Sequence, residues 1–240
     1  MTSLIEKKGF VVHDEFLDQE VCRRLLGAIN RFRSSVELRE IHREAKGRAL
    51  RYSVIDGHQI RDQLPEVWDL YAGPVRDLVS EVATEEMYPL NNVRAGVNVN
   101  VMPPGRSEYR WHYDRTPMTA VLYLNEVEGG ETELYPGLRV LLSERRPARA
   151  QRLLDRLVRV RPVRSMRAGM AVVSPKPGRL VAMAGNRCWH SVRGVEGRRD
   201  RINVILAYDR KGVTLAVDDS LDSYLYSNDQ TAQKDPNYLR

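Results

Sequence analysis

Cysteine and long apolar runs are both scarce in this sequence. Only two of the 240 residues are cysteines, Cys22 and Cys188, which is too few for a disulfide framework. No apolar run approaches the ~20 residues that a membrane-spanning helix requires. Residues 1–8 lack the apolar core and cleavage site of a secretory signal. We therefore expect a protein of the reducing cytoplasm, neither exported nor embedded in a membrane.

A net excess of basic charge is absent from most of the chain, although the formal net charge is +6. Residues 138–168 contain ten arginines against Glu144 and Asp155, a net charge of +8, which leaves the other residues at −2. A nucleic-acid-binding surface needs basic side chains over an extended face. The charge distribution therefore argues against nucleic acid as a partner.

The order of the expected elements indicates the fold class. Helical spacing predicts one helix over residues 18–33, capped by Asp18, and a helical stretch over residues 65–85 that Gly73-Pro74 divides in two. Helices followed by many strands predict a mainly β jelly roll, or double-stranded β-helix, with supporting helices in one domain over residues 1–240. The short strand-like segments lie at residues 9–12, 51–55, 93–102, 119–125, 131–135, 170–174, 179–184 and 201–208.

The stretch Trp111-His112-Tyr113-Asp114 carries the first chemical signal. His112 and Asp114 are two residues apart, so on an extended strand their side chains point the same way. An isolated H-x-D pair is common, and a surface or half-buried histidine explains it equally well. His190, between two strand-like runs, is a candidate third ligand. Two histidines and one carboxylate can hold iron(II) and leave the opposite octahedral face open for a co-substrate and O₂.

Arg201 begins an otherwise apolar strand-like segment. A buried guanidinium at this position needs an anion, and its planar fork suits a carboxylate. Arg199 shares the same strand face by alternation and is the alternative, but it lies in a charged, turn-like stretch. We therefore assign the anion-binding role to Arg201.

Polar side chains also follow one face of the segment 97–102. Asn98, Asn100 and Met102 share this face, and three valines share the other. If the polar face is buried, the two amides need hydrogen-bond partners. They bind either each other or a ligand, and the sequence leaves both interpretations open.

Taken in order, these motifs resemble the iron(II)/2-oxoglutarate-dependent oxygenases, specifically the prolyl-4-hydroxylase-like branch. The resemblance extends over about residues 8–210 and is most specific over residues 93–208. It rests on His112-x-Asp114, Tyr123-Leu124-Asn125, Gly129-Gly130-Glu131-Thr132, residues 175–180, His190 and Arg201.

The resemblance implies an Fe(II) site at His112, Asp114 and His190, with 2-oxoglutarate and O₂ as co-substrates. Arg201 would pair with the distal carboxylate of 2-oxoglutarate, and the Tyr123 hydroxyl would donate to the same end. Halogenating relatives lack the carboxylate ligand, so Asp114 favours hydroxylation or another oxidation. No catalytic side chain is expected beyond the metal ligands.

The co-substrate pocket would be completed by three asparagines: Asn98, Asn100 and Asn203. Asn203 replaces the serine of the family's R-x-S pair, and Met102 stands where the family often has a tyrosine. The substrate candidates are the residues that flank the triad: Arg106, Tyr109, Trp111, Arg115 and Trp189.

Residues 138–168 form an arginine-rich insertion where the family usually has a short connection. If residues 147–160 are helical, four arginines form one stripe and apolar residues lie elsewhere on the helix. A solvated surface helix and a lid both fit this pattern. We predict that the leucine side packs on the barrel rim while at least one arginine faces the entrance to the site. The stripe consists of Arg149, Arg152, Arg156 and Arg159, and a polar tail follows at residues 218–240.

The sequence therefore predicts a 2-oxoglutarate-dependent dioxygenase that hydroxylates or otherwise oxidises an unactivated C–H bond and releases succinate and CO₂. We favour a small-molecule substrate because no peptide-binding module is recognisable. The alternatives are a hydroxylase of protein prolyl side chains, and a non-catalytic jelly roll that binds metal or nucleic acid.

Overall fold

A computed structural model describes most of the chain and all of the strands that surround the predicted site. The described residues are 5, 8–45, 48–105, 108–136, 139, 141–143, 146–147, 151, 153 and 170–211. Most of the arginine-rich insertion, including the four-arginine stripe, and the polar tail lie outside these residues.

The helices precede most of the strands, as predicted. They are α1 (Gln19–Ser35), α2 (Gly57–Gln63), α3 (Pro65–Ala72), α4 (Pro74–Ala83) and the single turn α5 (Val93–Gly96). The strands are β1 (Phe10–His13), β2 (Arg39–Ala45), β3 (Arg48–Ile55), β4 (Tyr88–Pro89), β5 (Val97–Met102), β6 (Tyr109–His112), β7 (Met118–Tyr123), β8 (Thr132–Tyr135), β9 (Leu141–Ser143), β10 (Arg146–Pro147), β11 (Ala171–Val173), β12 (Leu180–Met183), β13 (Trp189–Val192) and β14 (Arg201–Asp209).

Local sequence signals account for the helix ends. The Asp18 carboxylate accepts a hydrogen bond from the Val21 amide at 2.8 Å and so caps α1. The predicted break at Gly73-Pro74 separates α3 from α4. Asp56 caps α2, because its carboxylate accepts from the amides of His58 and Gln59.

Two antiparallel sheets face each other. The major sheet has eight strands in the order β1-β12-β7-β14-β5-β3-β2, with β4 paired to β14. The minor sheet has four strands in the order β11-β8-β13-β6, and β9 and β10 form a separate pair. This arrangement confirms the expected jelly roll with helical support.

Two segments near the start of the β region differ from the sequence expectation. Residues 93–96 form α5 rather than strand, because the Asn92 side chain accepts from the Ala95 amide at 3.2 Å and caps a helical turn. Strand β2, with five charged or histidine residues among its seven, was not expected and pairs with β3 along its whole length. Its pairing partner, not its own composition, makes it a strand.

The main core lies between the helices and one face of the major sheet. Leu25 and Ile29 of α1, Val79 of α4, and Val97 and Val99 of β5 belong to this single buried cluster. The opposite face of the major sheet carries the polar residues of β5 and faces the minor sheet. Among the described residues, every helix is too short or too polar to cross a bilayer.

Candidate active site

The structure brings His112, Asp114 and His190 together between the two sheets. His112 ends β6 and lies directly opposite His190 of β13, with ring centroids 4.1 Å apart. Asp114 Oδ1 lies 3.5 Å from Nε2 of each histidine. One ligand atom from each residue falls within 4.8 Å of the others. The described His13, His42 and His58 are exposed and lie outside this group.

The environment of the three residues fits a divalent cation. His112 and His190 are only 7% and 5% exposed. Nδ1 of His190 lies 2.9 Å from the carbonyl oxygen of Cys188, which directs Nε2 toward Asp114. Asp114 Oδ2 is buried and accepts no hydrogen bond from the described residues. A bound cation would satisfy this oxygen and both Nε2 atoms.

The electrostatics of the group favour an ionised carboxylate. Burial by itself would raise the pKa of Asp114, but the neighbouring His190 and His112 outweigh it and hold that pKa well below its usual value. Burial likewise opposes a charge on His190, whereas Asp114 raises the pKa of His190 above its usual value. The Asp114 carboxylate and the two imidazole Nε2 atoms therefore converge on the position that a metal ion would take.

Cys188 contributes its backbone rather than its thiol. The side chain is fully buried in a cluster with Val181, Met183 and other apolar residues. Burial raises the pKa of this thiol, which keeps it protonated. The packed thiol was the favoured interpretation of the sequence.

Arg201 is buried at the start of β14 without an anionic partner. It is 2% exposed, and its guanidinium lies 5.2 Å from the centre of the Tyr123 ring. The guanidinium donates to Asn203 Oδ1, to Thr132 Oγ1 at 3.3 Å and to Met102 Sδ at 3.5 Å. Burial lowers its pKa, and its Nε has no acceptor among the described residues.

No carboxylate in the described part of the chain pairs with Arg201, so a bound anion would supply the missing charge. Arg199, the alternative in the sequence, is exposed and is absent from the lining of the cavity. The assignment to Arg201 therefore has structural support that Arg199 lacks.

The Gly129-Gly130-Glu131-Thr132 motif makes room for Arg201. Gly130 has a φ of +67°, and a Cβ at this position would lie 2.8 Å from Arg201 Cδ. Thr132 Oγ1, which accepts from Arg201, also accepts a hydrogen bond from the Tyr123 hydroxyl at 2.6 Å. Thr132 was not singled out as a site residue, although the alternation of β8 places it on the inner face.

The polar face of β5 lines the same cavity. Asn98, Asn100 and Met102 all contribute to its wall, and Asn100 lies opposite Asn203 of β14. Asn203 Oδ1 is occupied by Arg201, and Asn100 Oδ1 is buried without a hydrogen-bond partner in the described residues. A role of Asn98 and Asn100 in ligand binding stays a prediction.

The five substrate candidates occupy different surroundings. Tyr109 and Arg115 line the cavity, and the Tyr109 ring lies 4.9 Å from that of His112. Trp111 and Trp189 lie outside the cavity wall, with their rings 4.7 Å apart on the outer face of the minor sheet. Arg106 lies outside the described residues.

Alternation beside His112 and His190 turns Trp111 and Trp189 outward, and a bulge in β6 turns Tyr109 inward. His190 pairs with His112 and Val192 pairs with Tyr109, so the one residue between the pairs in β13 faces two residues of β6. The extra residue breaks simple alternation and lets Tyr109 and His112 both face the cavity. No sequence pattern reveals this irregularity. Other lining residues that the sequence analysis missed are Leu90, Ala95, Tyr113, Thr116, Thr119, Val121, Thr132, Met183, Val192, Ile205 and Ala207.

No protein-family model and no curated protein matches the sequence, but solved structures match its fold. A Pseudomonas putida prolyl-4-hydroxylase is 20% identical with a TM-score of 0.53, and 87% of this chain and 96% of that chain are covered. The epimerase SnoN of nogalamycin biosynthesis, in complex with Fe³⁺, alpha ketoglutarate and nogalamycin RO, is 15% identical with a TM-score of 0.59, over 86% of this chain and 80% of that chain.

A third similar structure is a prolyl hydroxylase from Trichoplax adhaerens in complex with a peptide fragment of the hypoxia inducible factor oxygen degradation domain. It is 16% identical with a TM-score of 0.59, and 86% of each chain is covered. At these identities the similarity establishes the fold alone.

Proposed function

We propose that this chain, which has the fold of the iron(II)/2-oxoglutarate-dependent oxygenases, is itself a dioxygenase that oxidises an unactivated C–H bond. In such an enzyme bound iron(II) supplies the activation of O₂, coupled to conversion of 2-oxoglutarate to succinate and CO₂. His112, Asp114 and His190 would hold the metal. Arg201, Tyr123 and the asparagines around them would hold the co-substrate.

One observation carries this proposal: a metal-ligating group and an unpaired guanidinium share a single buried cavity. The ligand atoms of His112, Asp114 and His190 lie within 4.8 Å of one another, and Arg201 lines the same cavity. A metal-binding protein without a co-substrate would have no use for a buried charge beside its metal. A carboxylate-bearing ligand that also reaches the metal accounts for both features.

The residues of the chain would bind and orient the co-substrate rather than exchange protons with it. The Arg201 fork is already directed by Asn203 and Thr132, which limits its motion before any ligand arrives. Asn100 lines the same cavity, where its Nδ2 would donate to the ligand. Because both histidines are buried, the surrounding side chains would exclude bulk water from the reacting centre.

We further propose that the substrate is a small molecule. Arg201 and Ala207 both line the cavity and lie about 20 Å apart along the extended strand β14, so the cavity continues well beyond the anion site. That end has apolar and hydroxyl-bearing walls, including Leu90, Ile205 and the paired Thr116 and Thr119, whose Oγ1 atoms are 3.2 Å apart. Such walls suit a compact group that is largely apolar.

Succinate formation tests the proposal. The protein is loaded with Fe(II) in the absence of O₂, then exposed to O₂ and 2-oxoglutarate with panels of small molecules and of proline-containing peptides. We expect iron-dependent succinate release that a small molecule stimulates. Stimulation by a peptide instead would replace the small-molecule proposal with the prolyl hydroxylase.

Two variants make this assay specific to the site. Asp114→Ala removes one ligand and should lower iron affinity and succinate formation by about 100-fold or more, since even supporting residues cost 10–100-fold. His58→Ala removes an exposed histidine outside the group and should behave as the wild type. Binding of iron and 2-oxoglutarate without succinate formation under any condition would favour the non-catalytic alternative.

A further inference from the structure

The cavity is longer than the proposed co-substrate. Arg201 and Ala207 both line it, about 20 Å apart along β14. A five-carbon dicarboxylate such as 2-oxoglutarate has four C–C bonds and spans only about 5 Å. Even with the reach of the Arg201 side chain, a co-substrate bound there leaves the end of the cavity near Ala207 to another group.

Asn98 is a polar residue toward this end that has no partner among the described residues. It lies opposite Ile205 of β14, about 13 Å along the strand from Arg201. Its side chain lines the cavity, is only 5% exposed and makes no hydrogen bond within the described part of the chain. An amide buried in this way is costly unless a ligand satisfies it. Asn98 therefore indicates a binding position.

Two threonines on the other side of β14 line the same end of the cavity. Thr119 lies opposite Ala207, and its Oγ1 is 3.2 Å from that of Thr116. One hydroxyl proton joins the pair, so the second proton is available to a ligand. A Cβ on Gly185 would lie 2.5 Å from Thr119 Oγ1 and 2.9 Å from Asp114 Oδ2, which places Thr119 beside the metal-ligating group.

The charges around the cavity are concentrated away from Asn98. Apart from the two histidines, the charged residues in its described lining are Asp114, Arg115 and Arg201. Asp114 belongs to the metal-ligating group, Arg201 forms the anion site, and Arg115 is only partly buried. A charged group beside Asn98 would lose its hydration without gaining an opposite charge. A neutral group that both donates and accepts, such as a hydroxyl or an amide, matches the Asn98 side chain.

The arginine-rich insertion contributes no described residue to the lining of the cavity. Leu153 is 62% exposed, so the expected packing of the leucine side on the barrel rim is wrong for that residue. Leu154 and Leu157 lie outside the described residues. We therefore look to the barrel itself for recognition of the substrate.

We propose that this end of the cavity binds an uncharged polar group of the substrate, a hydroxyl or an amide, and that Asn98 determines the preference for it. Leu90 and Ile205 line the same end and would contact the apolar remainder of the substrate. The resemblance placed Asn98 with the co-substrate, but both ends of that ligand already have charged partners, Arg201 and the metal. The inference rests on the proposed function and specifies the chemistry of its substrate.

Three compact probes that differ in one group test this preference: benzyl alcohol, toluene and benzoate. Each is titrated without O₂ against protein saturated with 2-oxoglutarate and Mn(II), whose unpaired electrons accelerate the nuclear relaxation of protons close to the metal. Protein with Zn(II) in place of Mn(II) is the diamagnetic control. We expect the protons of benzyl alcohol to relax faster with Mn(II) than with Zn(II), and benzyl alcohol to bind more tightly than benzoate.

Asn98→Leu keeps a similar volume and removes the amide. It should weaken binding of benzyl alcohol by about 3- to 10-fold, the loss of one neutral hydrogen bond. Binding of toluene and the Kd for 2-oxoglutarate should be unchanged. The Tm of the unliganded protein should stay the same or rise, because an apolar side chain replaces a buried amide without a partner. A purely structural role of Asn98 would instead lower the Tm.

Asn30→Leu makes the same substitution on the exposed side of α1 and is the matched control. It should bind all three probes as the wild type does. Asn98→Ala serves if Asn98→Leu fails to fold, as judged by circular dichroism, and should show the same selective loss of benzyl alcohol.

Three results would overturn the inference and leave the proposed function intact. Tighter binding of benzoate than of benzyl alcohol would indicate an anionic substrate. A higher Kd for 2-oxoglutarate in the Asn98 variants would return Asn98 to the co-substrate. Equal relaxation of benzyl alcohol with Mn(II) and Zn(II) would place the probe away from the metal. Failure of the wild-type protein to bind Mn(II) and 2-oxoglutarate would overturn the proposed function as well.

Discussion

Arg201 illustrates how a single buried charge defines the chemistry of a cavity. An ion removed from water loses several kcal/mol of solvation unless hydrogen bonds and an opposite charge replace it. Asn203, Thr132 and Met102 accept hydrogen bonds from the guanidinium but carry no charge. The arrangement is therefore complete only with a bound anion, and the position of the metal ligands makes that anion a candidate co-substrate.

The contribution of Arg201 is measurable by titration of 2-oxoglutarate without O₂, with Mn(II) in the metal site. Arg201→Ala should weaken binding by about 1.5–3 kcal/mol, the value of a hydrogen bond to a charged group. This corresponds to a Kd about 10- to 150-fold higher. Arg201→Lys should recover only part of the loss, because lysine lacks the planar fork.

Arg199→Ala provides the control for this experiment. Arg199 is two residues away and exposed, so its removal should leave the Kd for 2-oxoglutarate unchanged. If Arg201→Ala bound normally and Arg199→Ala did not, the assignment of the anion site would be reversed.

At the scale of elements, α3 is attached to the major sheet by tyrosine hydrogen bonds. The Tyr71 hydroxyl donates to the Ala207 carbonyl at 2.9 Å and accepts from the Leu90 amide at 2.8 Å. In return the Tyr208 hydroxyl donates to the Tyr71 carbonyl at 3.0 Å. Burial raises the pKa of both phenols, so they stay protonated and able to donate. These bonds hold a helix against the strand that carries Arg201.

Tyr71→Phe should therefore lower the free energy of unfolding by about 1–3 kcal/mol for each buried backbone group left unpaired. Urea denaturation monitored by circular dichroism gives this value. Metal and 2-oxoglutarate binding should be retained, because the hydroxyl lies on the helical side of the sheet. Tyr88→Phe, on the partly exposed strand β4, should change stability by less than about 0.5 kcal/mol. Equal effects of the two substitutions would contradict the attachment by Tyr71.

At the scale of the whole molecule, the two sheets contribute different halves of the site. The minor sheet carries His112 and His190, and the major sheet carries Arg201 and Asn100. A ligand that bridges the metal and Arg201 would connect the sheets and bind only the folded protein.

Ligand binding should consequently stabilise the fold against heat. At ligand concentrations about 100-fold above Kd, one site adds about 2.7 kcal/mol, and each kcal/mol raises the Tm of a chain this size by about 2–4 °C. We expect Mn(II) to raise the Tm, 2-oxoglutarate to raise it further only when metal is present, and a chelator to reverse both shifts. Calorimetry without O₂ measures this, with Asp114→Ala as the control that should not respond to metal.

The candidate site was accessible from the sequence to the extent that its signals are local. Two-residue spacing places His112 near Asp114, and an arginine at the start of an apolar strand needs an anion. Capping by Asp18 and the break at Gly73-Pro74 determine helix ends. The fold class followed from the order of elements and from the resemblance. These features depend on neighbouring residues and on hydrogen bonds between residues that are close in the sequence.

Tertiary structure alone decided which side chains meet. The bulge in β6 turns Tyr109 into the cavity, because pairing with β13 leaves one extra residue between Tyr109 and His112. Thr132 becomes a partner of Arg201 only when the two sheets face each other. Gln151 donates to the Tyr113 hydroxyl although 38 positions separate the two residues in the sequence. Such contacts join residues far apart in sequence, where neither spacing nor periodicity carries information about distance.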